Sequence, residues 1–458
     1  MLEEFSAVMD TIIALLNTKR YASIKDIFGT LKPADVAAMF DELPAENLSV
    51  LFRLLPKEQA AETFVEMDED AQELLIRSFS DSELKAVLDE MYVDDAVDLI
   101  EEMPANVVKR ILRQADPETR KSINEILKYP EDSAGSIMTT EYVSLRPKMT
   151  IAEAIKRIRR VGVDKETINN CFVTDDRRLL LGQITIQDII LADEDDLIGE
   201  IMDQNIIYAE TTEDRELVAQ NFTKYDLIAM PVVDEEKRLV GIVTIDDVID
   251  VLQEEATEDI EKMAAIVPVD RPDLKTGVFE TFKSRIPWLL LLMISATFTG
   301  IIITSFEDAL AAQMALSAFI PMLMDTGGNC GSQASVTIIR GISLGEIEFR
   351  DLPKVMWKEL RVAATCSVVL AVANFAKIML FDRMLMGNES ITLMVAVVIC
   401  MTLVFTVCVA KLVGCVLPML AKKIGFDPAV MASPFITTIV DAISLMIYFQ
   451  FAKLILQI

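Results

Sequence analysis

The last apolar segment of the chain, residues 428–455, carries one carboxylate, Asp441, among hydrocarbon side chains. A carboxylate inside a membrane helix costs about 2.5–3.5 kcal/mol on insertion scales, so it usually has a partner or a role. Four further oxygen-bearing residues share its helix face at spacings of three or four: Ser433, Thr437, Ser444 and Tyr448. Such a face could line an ion path. The alternative is an aspartate that a neighbouring group caps inside a static bundle.

A second polar stripe lies in the motif PMLMDTGGNCGSQAS, residues 321–335 of another apolar segment. Its members recur every four positions: Pro321, Asp325, Asn329 and Gln333. The small residues between them, Gly327 and Gly328 among others, allow close helix packing, and proline with two glycines can break a helix and free carbonyl oxygens. Packing alone explains the glycines but not the stripe. At 1.5 Å per residue, Asp325 and Asp441 each lie about 20 Å along their helix from its entry, which predicts a similar depth.

The residue types exclude several classes of site. The sequence has no histidine, which excludes His-based catalysis and removes the commonest ligand of zinc, nickel and copper. Its six cysteines include no CxxC pair, so neither a disulfide framework nor a zinc site is indicated. Oxygen ligands remain, and these suit a hard cation. Mg²⁺ keeps much of its water and is often bound through one or two carboxylates.

Charge divides the chain into an acidic front and a neutral back. From Gly277 onward there are 13 Lys and Arg against 12 Asp and Glu, whereas 30 basic and 60 acidic residues precede it. The acidic front repels nucleic acid and anionic lipid and attracts cations, so nucleic acid is not an expected partner. No cleavable signal is visible in the acidic first 20 residues, which favours a cytoplasmic front region.

Residues 1–130 form the predicted helical N-terminal domain. Within it, residues 24–130 read as short helices that repeat about every dozen residues, and these are expected to stack into a small superhelix used for contact or regulation. Residues 131–253 contain a duplicated β/α unit. Both copies carry a glycine followed by T-x-x-D at the start of a helix, and the pattern resembles a tandem pair of CBS domains. In that family this motif faces a cleft that takes adenine nucleotides. By resemblance, ATP or another adenine nucleotide is a candidate ligand of Thr185, Asp188 and Thr244.

Residues 254–276 predict an acidic helix that connects the CBS pair to the apolar region. Together with the end of the last CBS helix, from Asp246 to Lys262, the run carries eight acidic residues with only Lys262 to balance them. Such a density of like charge is repulsive unless cations lie between the carboxylates. The helix could transmit the state of the soluble region to a pore, or it could be an ordinary solvated helix.

Residues 277–458 contain five apolar segments of about the length that crosses a bilayer. They lie at 286–306, 311–339, 360–381, 391–420 and 428–456. The basic connectors fall on the side of the soluble region, which predicts a multi-pass protein of the cell membrane with a cytoplasmic N-terminus and an external C-terminus.

The motifs P-x-x-x-D-x-G-G-N-x-G-x-Q-(A/S)-S and P-F-I-T-T-x-x-D-x-x-x-L-x-I-Y-F, together with this domain order, resemble the MgtE family of Mg²⁺ transporters and channels. The resemblance implies a homodimer whose ion path, on the two-fold axis, is lined by the second and fifth membrane helices. It implies pore ligands at Asp441, Asn329, Gly328 and Thr437, with Asp325 as a further candidate. It also implies regulatory Mg²⁺ ligands among Asp94, Asp95, Asp98, Glu216, Asp226, Asp247, Asp250, Glu255, Glu258 and Asp259.

The predicted fold is therefore a multidomain membrane protein. It has an all-α superhelical N domain, an α/β tandem CBS pair, an acidic connecting helix and a five-helix transmembrane domain. The predicted function is Mg²⁺-selective transport gated by cytosolic Mg²⁺. Two alternatives stay open: an ion-coupled carrier or exporter of divalent cations, and a non-conducting membrane sensor of Mg²⁺ or nucleotide. No nucleophile–base set or phosphate loop appears, so an enzyme is not predicted.

Overall fold

The computed structural model describes residues 2–269, 276–388, 390–431 and 433–457. The chain forms two compact units, Met1–Leu252 and Gln253–Ile458. The first unit contains a helical domain and two small sheets, and the second contains the long apolar helices. The predicted fold class is confirmed in this order of domains, whereas the total of five membrane helices stays a prediction.

Short helices fill residues 2–126: α1 Leu2–Asn17, α2 Tyr21–Phe28, α3 Pro33–Glu42, α4 Ala45–Phe52, α5 Lys57–Val65, α6 Glu69–Ser78, α7 Asp81–Leu88, α8 Val93–Glu102, α9 Ala105–Gln114 and α10 Pro117–Ile126. Pro44, Pro56 and Pro104 each occupy the N-cap of the following helix. Proline cannot extend the preceding helix, because it lacks an N–H and clashes with the turn before it. The prolines therefore separate the helices as the sequence repeat predicts.

The dozen-residue repeat builds the core of this domain. Phe28, Phe40, Phe52 and Phe64 follow one another at twelve-residue intervals and are buried. Successive ring centroids lie 5.5, 6.4 and 6.1 Å apart. Each short helix contributes one ring to a continuous aromatic row, so no helix has to bury its apolar face alone.

The two CBS units have the same topology. In the first, β1 Ser144–Leu145 pairs parallel to β2 Asn170–Thr174, which pairs antiparallel to β3 Leu180–Thr185. The second sheet repeats this order with β4 Ala209–Glu210, β5 Ala229–Val233 and β6 Leu239–Thr244. The helices around the sheets are α11 Ile151–Val161, α12 Ile186–Leu191, α13 Ile198–Ile201 and α14 Arg215–Tyr225.

The duplicated residues interlock across the two copies. A Cβ on Gly182 of the first copy would lie 2.6 Å from Sδ of Met202 in the second, and a Cβ on Gly241 would lie 2.6 Å from Sδ of Met138. Each copy therefore inserts its methionine against the strand glycine of the other. A larger residue at either glycine would displace that methionine.

The last soluble helix and the apolar helices follow: α15 Ile245–Met263, α16 Val278–Ser305, α17 Glu307–Ala312, α18 Ile320–Ser343, α19 Leu352–Lys377, α20 Leu393–Lys423 and α21 Ser433–Leu456. A π-helical segment, Ile378–Leu385, extends α19, and 3-10 turns cover Met314–Phe319, Phe349–Asp351 and Pro428–Met431. The predicted connecting helix overlaps α15 at residues 254–263, and its residues 270–275 lie outside the described chain.

Within the described residues, four helical spans are long and apolar enough to cross a membrane: Val278–Ser305, Phe349–Leu385, Leu393–Lys423 and Pro428–Leu456. The helix with the polar stripe, α18, is not among them. It also begins later than predicted, because residues 311–319 fold into the end of α17 and a 3-10 turn.

The expectation that proline and the paired glycines break α18 is wrong. The helix is continuous from Ile320 to Ser343. Pro321 lies in the first turn, where a missing N–H leaves no internal hydrogen bond unmade. Gly327 and Gly328 are buried in helix contacts instead of opening the backbone.

Candidate cation sites

The glycines of α18 bring it into close contact with two neighbouring helices. A Cβ on Gly328 would lie 2.8 Å from Cγ2 of Thr437 on α21, and one on Gly327 would lie 2.7 Å from Cγ2 of Thr406 on α20. Contacts this short exclude any side chain, so both positions accept glycine alone without rearrangement. The predicted pair Gly328 and Thr437 is thereby brought together. We refer to this glycine-lined contact of α18 with α20 and α21 as the seam.

Asp441 lies half-buried on α21, one turn beyond Thr437. Its Oδ1 is buried and has no hydrogen-bond partner among the described residues. Asp325 of α18 lies close enough to act on the Asp441 carboxyl electrostatically, and the two like charges repel. A buried oxygen without a donor is costly in an apolar environment, and a bound cation would offset that cost.

The predicted stripe on α18 points away from the interior of the chain. Asp325, Asn329 and Gln333 are all exposed, as is Pro321. The buried residues of the helix, from Leu323 to Ile342, form its other faces. The helix is therefore polar on the side that the rest of this chain leaves uncovered.

The predicted polar face of α21 is divided. Ser444 Oγ donates to Val440 O at 2.6 Å, and Tyr448 O–H donates to Leu316 O at 2.9 Å. Both residues are buried within the bundle, so they stabilise it and offer no free face to an ion. The expectation that they share an ion-facing side with Asp441 is wrong. The side chain of Ser433 lies outside the described chain.

Thr406 lies in the seam, a position that was not predicted from the sequence. Its Oγ1 is buried without a hydrogen-bond partner in the described chain, beside Gly327 of the seam. A threonine in an apolar helix normally donates to the carbonyl four residues earlier, as Thr402 does to Val398 O at 2.8 Å. Nothing in the sequence distinguishes the two threonines.

A second group of carboxylates lies in the first unit, between α8 and the start of α15. Asp94, Asp95 and Asp98 of α8 act electrostatically with Asp247. Burial and then the neighbouring carboxylates raise the pKa of Asp94 and Asp247 above the usual range of aspartate. The structure therefore places four of the predicted regulatory residues within electrostatic range of one another, although no group of three or more acidic or thiol side chains in the described residues is already arranged to hold a metal ion.

Three acidic residues of this group were not predicted: Glu141, Glu166 and Asp246. Glu141 Oε2 accepts from the backbone N–H of Val93 at 3.1 Å, at the start of α8. Burial, followed by repulsion from Asp94 and other carboxylates, raises the pKa of Glu166 to about 9. Its Oε2 is buried without a hydrogen-bond partner among the described residues. Glu141 and Glu166 come from the loops of the first CBS copy, so only the fold reveals that they are neighbours of α8.

Two other predicted regulatory residues, Glu216 and Asp226, lie at opposite ends of one helix. Glu216 begins α14, where its Oε1 accepts from Gln220 at 3.2 Å, and Asp226 ends the same helix in a left-handed conformation. Ten residues of helix separate them by about 15 Å, so one chain does not bring these two together. Asp250 is exposed one turn after Asp247, and Glu255 is partly buried further along α15.

At the end of α15, Glu258 and Asp259 are engaged by protein groups. Lys262 Nζ lies 2.5 Å from Glu258 Oε1 and 2.7 Å from Asp427 Oδ2. Ser343 Oγ donates to Asp259 Oδ2 at 3.0 Å. Asp427 is a further carboxylate that the sequence did not reveal, because it lies in the connection between α20 and α21.

The nucleotide candidates form helix caps. Thr185 Oγ1 donates to Asp188 Oδ2 at 2.6 Å and accepts from the Asp188 N–H, so the pair closes the N-terminus of α12. In the second copy, Thr244 Oγ1 donates to Asp247 Oδ2 at 2.7 Å. The second pair thus joins the CBS motif to the acidic group, since Asp247 belongs to both.

Comparisons with known proteins agree with these features. A family of divalent cation transporters, MgtE, matches residues 320–451, the MgtE intracellular N domain matches 31–132, and CBS domains match 134–195 and 198–254. The magnesium transporter MgtE of Thermus thermophilus is 36% identical over 442 residues, covering 95% of both chains. That of Bacillus subtilis is 31% identical and covers 96% of both. The chain belongs to the MgtE family. Both of these relatives are named as magnesium transporters and not as enzymes.

Solved structures match the soluble region. The cytosolic domain of the Mg²⁺ channel MgtE in complex with ATP has a TM-score of 0.51 and 35% identity, and it covers 53% of this chain and 99% of its own. The soluble part of a magnesium transporter has the same TM-score with 31% identity, covering 56% and 100%. The MgtE-family cytosolic fold therefore extends over the first half of this chain.

Glu166 provides a test of the acidic group. A carboxyl whose folded-state pKa is about 9 against an ordinary value of 4.5 binds its proton more tightly in the folded state. Stability without divalent cations should therefore fall as pH rises between these values. We expect Glu166→Gln to raise the unfolding midpoint at pH 8.5 in EDTA by about 2–4 °C and to change little at pH 5.

The measurement is thermal unfolding of the purified chain in detergent, with Glu62→Gln on α5 as the matched control. Saturating Mg²⁺ should reduce the pH dependence of the wild type. An unfolding midpoint that does not change between pH 5 and pH 8.5 in EDTA contradicts the assignment.

Proposed function

We propose that this chain is a magnesium transporter whose ion path runs along the exposed polar stripe of α18, with Asp441 as its central ligand. The observation that carries the proposal is Oδ1 of Asp441, which is buried without a hydrogen-bond partner among the described residues and lies near that stripe. The names of the Thermus thermophilus and Bacillus subtilis relatives support magnesium as the ion. The oxygen-only chemistry of the candidate ligands agrees, since no histidine is available.

The path is formed by two copies of the chain. Asp325, Asn329 and Gln333 are exposed on α18, and polar side chains of this kind are costly against lipid. A second copy that presents the same stripe would cover both stripes and enclose a polar channel between them. This arrangement makes the protein a homodimer and makes α18 the fifth membrane-crossing helix, about 36 Å long for its 24 residues.

The membrane topology follows from the connectors. Basic residues lie in or next to the connections between α18 and α19 and between α20 and α21: Arg350, Lys354 in the first turn of α19, and Lys422 and Lys423 at the end of α20. By the positive-inside rule these lie in the cytoplasm with the soluble region. The C-terminus then lies outside, and α21 runs outward past Asp441.

Within the path, the ligands have separate roles. Asp441 supplies the charge, while Thr437 and Asn329 supply neutral oxygens. The carboxylate of Asp325 extends the polar lining along α18, and Gly328 contributes by letting Thr437 approach this helix closely. One charged ligand per copy suits an ion that keeps part of its water shell, because Mg²⁺ gives up water reluctantly.

Cytosolic Mg²⁺ closes this path through the acidic sites of the soluble region. Asp94, Asp95, Asp98 and Asp247 repel one another unless a cation lies between them. When cytosolic Mg²⁺ is high, bound ions hold α8 and α15 together, and α15 leads toward the membrane unit. When it falls, the repulsion separates them. The remaining regulatory candidates are proposed as further cation ligands: Glu216, Asp226 and Asp250 in the first unit, and Glu255, Glu258 and Asp259 in the second.

ATP is the proposed second ligand, bound in the CBS clefts. A related cytosolic domain was crystallised in complex with ATP. Thr185, Asp188 and Thr244 are the residues of this chain that carry the corresponding T-x-x-D motif. Since Thr244 is hydrogen-bonded to Asp247, nucleotide in the second cleft and Mg²⁺ at the acidic group would influence each other.

Asp441→Asn tests the path directly. It retains the shape of the side chain and removes the charge, so Mg²⁺ flux into proteoliposomes should fall by roughly 100-fold, the equivalent of about 3 kcal/mol for a lost charged ligand. Asp351→Asn, at the start of α19, is the matched control and should transport like the wild type. Undiminished flux through Asp441→Asn would exclude it as the central ligand.

The same assay separates the rival functions. A channel needs no pH or sodium gradient, whereas an ion-coupled carrier does. A sensor gives no flux in any condition.

Neutralising the acidic group tests the gate. In the Asp94→Asn, Asp98→Asn, Asp247→Asn triple variant, the cytosolic-side Mg²⁺ concentration that halves the flux should rise by roughly tenfold, because ligand charge sets cation affinity. Asp10→Asn, Asp26→Asn, Asp35→Asn, with the same change in net charge elsewhere in the helical domain, is the control. Inhibition at the wild-type concentration in the first variant would place the sensor elsewhere.

A further inference from the structure

Lys262 is the basic residue in an otherwise acidic helix. Between Ile245 and Met263, α15 carries eight acidic residues and this single lysine. It lies in the last turn, within the second unit, and its side chain is about three-quarters buried, with a relative exposure of 23%. A lysine cannot bind a divalent cation, so its role in this helix differs from that of the carboxylates.

The ammonium of Lys262 joins two carboxylates from different parts of the unit. It lies 2.5 Å from Glu258 Oε1, one turn earlier on the same helix, and 2.7 Å from Asp427 Oδ2 in the α20–α21 connection. Burial by itself would lower the pKa of Lys262, but the ion pairs with Asp427 and Glu258 outweigh it and raise that pKa. The lysine is therefore a permanent cation at every physiological pH.

Two further contacts hold the same helix end to the apolar helices. Ser343 Oγ, at the end of α18, donates to Asp259 Oδ2 at 3.0 Å. Met263 packs against Ile339 and Ala429, both of which are fully buried. The end of α15 is thus attached through an ion pair, a hydrogen bond and an apolar contact, and all three belong to the second unit.

Asp427 connects this attachment to the helix that carries Asp441. Its Oδ2 binds Lys262, while its Oδ1 accepts from the backbone N–H of Ala429 at 2.7 Å. Ala429 belongs to the 3-10 turn Pro428–Met431, which immediately precedes α21. One carboxylate therefore fixes both the end of α15 and the turn from which α21 begins.

We propose that Lys262 is a built-in counterion that holds the end of α15 on the α20–α21 connection without a divalent cation. The inference rests on the proposed function, in which α15 carries the gating signal. It adds that this end of the helix stays attached when Mg²⁺ is absent, so the cation-dependent separation occurs upstream, at Asp94 and Asp247. A metal ion at Glu258 would have to displace the ammonium.

Hydrogen exchange of the full-length chain in lipid nanodiscs with EDTA tests the attachment without relying on transport. Lys262→Met keeps the apolar stem and removes the charge. Asp427→Asn also removes charge but keeps an oxygen that accepts from Ala429. In both variants the amides of residues 255–263 and 429–431 should exchange about fivefold faster, at the upper end of what a partly exposed ion pair contributes.

Two further variants make the result specific to the charge. Lys262→Arg retains a cation and should exchange like the wild type. Lys121→Met removes a lysine that faces Glu125 at 3.7 Å on α10 and should leave both segments unchanged. Wild-type exchange in Lys262→Met and Asp427→Asn overturns the proposal. So does a Lys262→Arg variant that exchanges as fast as Lys262→Met.

A flux assay then tests the link to the gate. The cytosolic-side Mg²⁺ concentration that halves transport should rise about two- to fivefold in Lys262→Met and Asp427→Asn and stay unchanged in Lys262→Arg. Faster exchange with an unmoved inhibition curve overturns the gating role of Lys262. A wild-type chain without Mg²⁺-dependent flux would refute the proposed function itself, while the exchange data would still decide whether Lys262 holds the helix.

Discussion

The close approach of α18 to α20 and α21 is the constraint on which the membrane unit depends. It requires glycine at positions 327 and 328, where any Cβ would overlap Thr406 or Thr437. Because the backbones meet so closely, the polar side chains of α18 cannot turn inward and remain on its outer face. One turn beyond Thr437, Oδ1 of Asp441 is buried without a hydrogen-bond donor among the described residues. The membrane unit thus combines a close helix contact with an exposed polar stripe and an unsatisfied carboxylate.

In the soluble unit the main constraint is repulsion between carboxylates, whereas in the membrane unit it is close helix packing. The helical domain and the CBS pair have sufficient apolar cores, in the phenylalanine row and the interlocked methionines, to fold around a repulsive acidic group. Burial and neighbouring carboxylates destabilise the ionised forms of Asp94 and Glu166, and a bound cation would offset this repulsion. At the membrane end of α15 the counterion is instead Lys262, so the two ends of one helix differ in their need for metal.

Local sequence patterns predicted many of the helices and the two CBS copies. Twelve-residue spacing located the short helices, and the duplicated glycine and T-x-x-D motif located the two CBS copies. Glycine spacing in α18 indicated close packing, but not that the helix stays continuous through it. Contacts between distant segments were not predictable: Glu141 and Glu166 beside α8, Asp427 beside Lys262, and Thr406 beside Gly327. Ser444 and Tyr448 share the spacing of Asp441, yet tertiary hydrogen bonds turn them to the interior. Spacing defines a helix face, whereas neighbouring helices determine what that face contacts.

Two copies of the chain are proposed to enclose a cation path at Asp441. Cryo-electron microscopy of the chain in lipid nanodiscs with saturating Mg²⁺ tests this arrangement. We expect two copies related by a two-fold axis, facing α18 stripes, and ion density beside the Asp441 carboxylates. A single copy whose stripe faces lipid would contradict it, as would a dimer with no density at Asp441.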